Sequence, residues 1–223
     1  MRIRRTLATA ALGALALTGA AVAPAQADAT AVLTTGGPTG PNVAVGDTLT
    51  ANLAAGTYAT FYNSATGTSG IKCAASAFSA TVTANPAAPG SAVEQLNSQT
   101  FGSCTSNVIG VMGVRSITVT NLPFTNTVSD GPGFPVALTP GAAGTMGTTV
   151  VLSTLLGSVT CNYANSTGIA GTASNTGNSI GFSGQPFALV SGPSLCFSTG
   201  YFSATYGPVH DTSAAGSPVL YVN

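Results

Sequence analysis

Ser158-Val159-Thr160-Cys161-Asn162-Tyr163 opens a stretch that closes at Cys196 and runs on into Tyr201-Phe202-Ser203-Ala204-Thr205-Tyr206. Between the two cysteines lie a Gly/Ser/Asn-rich passage and the segment Gly181-Phe182-Ser183-Gly184-Gln185-Pro186-Phe187. The segments on either side mix hydroxyl residues with β-branched and aromatic ones, which reads as strand. A looser version stands upstream, with Gly70-Ile71-Lys72-Cys73, Gln99-Thr100-Phe101 and Cys104 in the matching places. The shared plan reads as a duplicated β unit within one domain, its halves spanning about 47–128 and 146–223. Convergence of a Ser/Thr/Gly-rich composition is the competing explanation.

Working outward, short strand patterns recur between Gly, Pro and Asn breakers. Strands are expected over 47–53, 58–62, 71–73, 78–84, 135–139, 148–154, 159–163, 180–182, 187–190, 201–206 and 219–222, with two more within 108–120, a buried one and a half-buried one broken near Gly113. The cleanest is 78–84, with Phe78, Ala80, Val82 and Ala84 on one face and hydroxyls on the other. Asn85-Pro86 and Pro89-Gly90 force a turn after it. Val93-Glu94-Gln95-Leu96 fits one helical turn but reads better as loop or edge strand. The Gly/Pro-rich passage 129–147 is a wide turn rather than a linker, because the remainder would make only a marginal core. Regular short strands with such turns imply an all-β antiparallel sandwich or barrel-like globule.

The N-terminus carries Arg2, Arg4 and Arg5, then an uncharged run from Leu7 to Val22, then Ala25-Gln26-Ala27. That order is a cleavable export signal over 1–27, leaving 28–223 as a single domain. The Arg4-Arg5 pair leaves the general and twin-arginine routes both open. Without the leader, Lys72 and Arg115 face Asp28, Asp47, Glu94, Asp130 and Asp211, a net charge near −3. Two isolated cations cannot release enough counterions to hold nucleic acid. The same scarcity argues against an anionic membrane surface as an electrostatic target. No later stretch approaches the ~20 apolar residues of a membrane-spanning helix.

Export into an oxidising milieu favours disulfides, and four cysteines allow three pairings. The repeat favours Cys73–Cys104 and Cys161–Cys196, each worth roughly 3–4 kcal/mol through loop closure. A metal site is not expected, since no Cys-x-x-Cys occurs and the single histidine, His210, stands apart. No phosphate loop, dinucleotide fingerprint or acidic calcium loop is present, so no cofactor is expected.

Candidate catalytic residues are few. His210 can serve as a general base beside Asp211, although neighbours on a strand point to opposite faces. Ser183 is the candidate nucleophile, but Gly181-Phe182-Ser183-Gly184 is one residue short of a Gly-x-Ser-x-Gly elbow. Carboxylate pairs for glycoside hydrolysis are scarce, and Asp47 and Asp130 sit at turn positions. The absence of Trp weakens a sugar-stacking platform. An open end lined by Phe, Leu and Val would instead accept a lipid or sterol.

The leader, the run Gly200-Tyr201-Phe202-Ser203-Ala204-Thr205-Tyr206-Gly207-Pro208-Val209 and the ending Pro218-Val219-Leu220-Tyr221-Val222-Asn223 resemble a group of small exported streptomycete proteins. Some of these are labelled secreted or twin-arginine signal domain proteins, and some cholesterol esterase. Two functions are therefore expected in competition. One is a non-catalytic extracellular or envelope-associated protein binding apolar or surface ligands. The other, implied by the resemblance, is a lipid or sterol-ester hydrolase using a serine nucleophile and His210.

Overall fold

The computed structural model describes residues 29–223, so the expected leader over 1–27 lies outside the described residues. Period-two segments become fifteen strands, with no helix among the described residues. In chain order they are β1 (Leu33–Thr35), β2 (Thr48–Asn52), β3 (Ala59–Tyr62), β4 (Gly70–Ala84) and β5 (Ser91–Ser106). Then come β6 (Val111–Thr120), β7 (Phe124–Ser129), β8 (Pro135–Thr139), β9 (Met146–Thr154) and β10 (Gly157–Asn165). The last are β11 (Ile169–Ser174), β12 (Ser179–Ser191), β13 (Thr199–Tyr206), β14 (His210–Asp211) and β15 (Leu220–Val222).

Eight of these close an antiparallel barrel in the order β11-β8-β7-β5-β4-β3-β13-β12, with β12 returning to β11. The expected all-β antiparallel class is thus observed, in its barrel form. Closure removes the unpaired edges that an open sheet would expose.

Four long strands, β4, β5, β12 and β13, run through two tiers. In the upper tier the second half of β4 pairs with β2, and the first halves of β5 and β12 pair with β7 and β11. In the lower tier the first half of β4 pairs with β3, and the second half of β12 pairs with β10. From β10 the sheet continues through β9 to β6, a three-stranded flap. β1 and β15 form a separate two-stranded sheet, and their Leu33, Leu220 and Val222 line the upper end beside Val128 and Ile180.

The tiers come from breaks in alternation. β12 carries one extra residue between Phe182 and Gln185, opposite Ala204 and Phe202 of β13. β5 carries one extra residue, Asn97, opposite the step from Ser79 to Ala80. Such bulges bend a strand and raise its twist. In β4, Ala74 and Ala75 are both exposed between buried Cys73 and Ser76. Opposite them Ser103 adopts φ +50°.

The disulfides are Cys73–Cys104, across directly opposed positions of β4 and β5, and Cys161–Cys196, from β10 to the loop after β12. Both expected pairings are therefore present, and no cysteine is left free. Segment 93–96, expected as loop or edge strand, lies inside β5, bonded to β4 on one side and β7 on the other. Its pattern was obscured because the inward face reads Ala92, Glu94, Leu96, with a carboxylate where an apolar residue belongs. No helix among the described residues is long and apolar enough to cross a membrane.

Candidate functional site

Where the flap meets the barrel, the side chains leave a cavity of about 80 Å³. Phe61 and Ile71 line it from β3 and β4, and Phe101 and Leu96 from β5. Val119 of β6 and Val150 of β9 close it from the flap. Its polar lining side chains are Thr60, Gln99 and Thr148. The walls are fixed by edge-to-face aromatic contacts, Phe61 on Tyr163 at 4.9 Å and Phe101 on Phe202 at 6.2 Å between centroids. One wall is close-packed, because a Cβ on Gly200 would overlap the Phe61 ring. A second void, of about 40 Å³, adjoins the first through Leu96, Gln99, Leu138, Ile169 and Phe202.

The second void carries polar groups of two kinds. Gln99 Nε2 donates to Tyr206 Oη at 2.7 Å and to Ser76 Oγ at 3.0 Å. Ser76 donates its one proton to the Thr100 carbonyl at 2.6 Å, so the Tyr206 hydroxyl donates to Ser76 across 2.8 Å. Burial pushes the Tyr206 phenol up to about 12, with the Ser76 and Gln99 bonds pulling the other way.

Glu94 is the other kind. It is 2% exposed, and its Oε2 accepts 2.9 Å from Asn126 Nδ2. Burial pushes its carboxyl up to about 7, with the Asn126 bond pulling it back. Neither described cation answers it: Lys72 stacks on the Tyr58 ring at 3.5 Å, and Arg115 donates to Ser158 at 2.8 Å. Asn126 Oδ1 is buried without a partner. Turning the amide over would pair Oδ1 with a protonated Glu94 and strand the Nδ2 group instead. The barrel interior therefore holds a carboxyl that favours its neutral form. Its only sequence signal was a charged residue in register with Ala92 and Leu96.

The sequence-derived candidates lie elsewhere. Ser183 is exposed on the β12 bulge, where its carbonyl accepts 2.7 Å from Gln185 Nε2. His210 is on β14, paired with Thr50 of β2, and its Nδ1 lies 2.8 Å from the Ser217 carbonyl. Asp211 is buried, and its Oδ1 accepts from the Ser213 and Ala214 N–H groups at 2.9 and 3.2 Å. Burial holds its carboxyl above the ordinary range and Asp47 adds to that, while the two N–H groups oppose it. The hydrogen bonds of Asp211 and of His210 all go to the backbone of the β14–β15 connection that follows them, so none of these bonds joins Ser183, His210 and Asp211. No group of three metal-ligating side chains occurs among the described residues.

No protein-family model, curated protein or solved structure matches this chain.

Proposed function

We propose that the protein is a secreted, non-catalytic binding protein whose barrel interior takes up a small apolar ligand. The observation that carries this reading is the cavity between barrel and flap, walled by aliphatic and aromatic side chains. Binding sites for small molecules are typically concave and apolar with a few placed polar groups, and Gln99 and Thr148 are such groups here. The separate bonding of Ser183, His210 and Asp211 supports binding over ester hydrolysis.

Size narrows the guest. An apolar cavity of roughly 150 Å³ holds benzene. The two adjoining voids here, of about 80 and about 40 Å³, approach that size and suit one aromatic ring or a short acyl tail. A four-ring sterol body does not fit without opening the flap.

Toluene is a suitable probe. At a hundred times its Kd, a bound guest stabilises the fold by about 2.7 kcal/mol. Calorimetry should therefore show a rise in unfolding temperature, and the methyl signals of Val119, Val150 and Met146 should shift. Val119→Phe, which fills the cavity from its half-buried rim, should abolish both effects while the protein stays folded. Toluene that leaves these methyl signals unmoved would sink the proposal.

A further inference from the structure

We propose that the lower end of the molecule docks on an anionic lipid bilayer, with Ile109, Met112, Leu155 and Leu156 entering the membrane interface. These four side chains are 94%, 68%, 84% and 101% exposed. They belong to two neighbouring turns. The β5–β6 turn carries Ile109 and leads to Met112, and the β9–β10 turn is Leu155-Leu156. Register sets the turns side by side, since Val111 opposes Thr154 and Gly157 also opposes Thr154. Each turn uses a glycine at positive φ, Gly110 at +86° and Gly157 at +120°, so the hairpins reverse tightly and project their apolar residues. Single exposed apolar residues are ordinary, but four clustered at one end mark an interaction site.

The distribution of charge says what covers them. The described acids all lie toward the other end. Asp47 precedes β2, Asp130 follows β7, Asp211 opposes Leu49, and Glu94 opposes Val82 in the upper half of β4. Both described cations lie in the half that carries the apolar turns. Lys72 opposes Thr105 near the end of β5, and Arg115 on β6 bonds to Ser158 beside Gly157. Arg115 stands three residues from Met112, roughly 10 Å along the strand at ~3.3 Å per residue. An apolar tip buried 5–10 Å into the headgroup boundary would hold that guanidinium at the level of the phosphates. Charge count alone argued against an anionic surface, but the fold gathers the two cations beside the apolar turns. A second copy is disfavoured as occupant, because both described charges in this half are positive, and a symmetric contact would bring two cationic ends together with no acid from either to answer them.

Flotation of the purified protein with vesicles of phosphatidylcholine, with and without phosphatidylglycerol, tests this. The protein should float with the anionic vesicles. Leu155→Ser/Leu156→Ser, at fully solvated positions, should weaken this about tenfold or more while leaving the unfolding temperature unchanged. Arg115→Gln should weaken it about fivefold, on anionic vesicles alone. No flotation, or flotation unaffected by the double leucine variant, overturns the proposal. So does self-association lost in that variant without vesicle binding, which would make a second copy the occupant. Toluene binding is measured without lipid, so the cavity reading stands or falls separately.

Discussion

Glu94→Gln should make the protein more stable above neutral pH and flatten its pH dependence. The carboxyl sits on the inward face of β5, bonded to Asn126 and unanswered by either described cation. Burial lifts its pKa from 4.5 to about 7. The folded protein therefore keeps a proton that the unfolded chain releases between those values. Stability falls as pH rises through that window, and the whole cost stands above it. The gap between 4.5 and about 7, at roughly 1.4 kcal/mol for each pH unit, comes to about 3 kcal/mol. Glutamine has the same shape and no charge, and its amide N–H can answer the stranded Asn126 Oδ1.

Urea unfolding of both proteins from roughly pH 4 to pH 9 should give curves that meet at the acid end and separate by about 3 kcal/mol at the alkaline end. In melting temperature the separation is about 6–12 °C for a chain of this size. Asp211 contributes a slope of the same sign in both proteins and cancels in the difference. Parallel curves for wild type and variant would refute the reasoning, because Glu94 would then be solvated or paired in the native state.

Two further perturbations follow from the interior. Tyr206→Phe removes the acceptor of one Gln99 N–H and the donor to Ser76, and should cost about 1–3 kcal/mol in urea unfolding. Because the phenol is raised to about 12, wild type should also lose stability as pH rises from about 10 toward 12, and the variant should keep only the part of that loss due to Tyr163, whose phenol burial likewise raises to about 12. Gly200→Ala forces Phe61 off its seat toward the cavity it lines. The expected result is a loss of about 1–3 kcal/mol together with loss of the toluene response, and an unchanged toluene response would show that the ring moves elsewhere.

Strand content was legible because hydroxyl and β-branched residues alternate visibly in segments such as 78–84 and 201–206. The disulfide pairing was legible from the two matched cysteine plans. What escaped was continuity. Residues 71–73 and 78–84 read as separate strands but form one β4, because exposed Ala74 and Ala75 interrupt the alternation without interrupting the hydrogen bonds. Residues 180–182 and 187–190 likewise merge into β12 across its bulge. β7 and β11 went unread, since Asn126 on the inward face of one and the small residues of the other disguise their period. The composition suggested an open end lined by Phe, Leu and Val, whereas the cavity lies between flap and barrel. That position was not legible, because its walls come from strands far apart in sequence, Phe61 and Val150 among them.

The bulge in β12 links this architecture to the residue that most invited a catalytic reading. Phe182 pairs with Ala204 and Gln185 with Phe202, so three steps on one strand match two on the other. The extra residue needs a backbone that can turn, and Gly184 supplies it at φ +57°, with its N–H donating 2.8 Å to Ser203 Oγ. Above this point β12 pairs with β11 and closes the barrel; below it β12 pairs with β10 and begins the flap. Gly181-Phe182-Ser183-Gly184 is thus where one strand passes between tiers. The inward residues Phe182 and Phe187 lie on opposite sides of that point, five positions apart, which strict alternation would not allow. Ser183 is left outside as the bend is made. A glycine-flanked serine is expected at such a turn on conformational grounds alone, and the cavity wall at Phe187 depends on it.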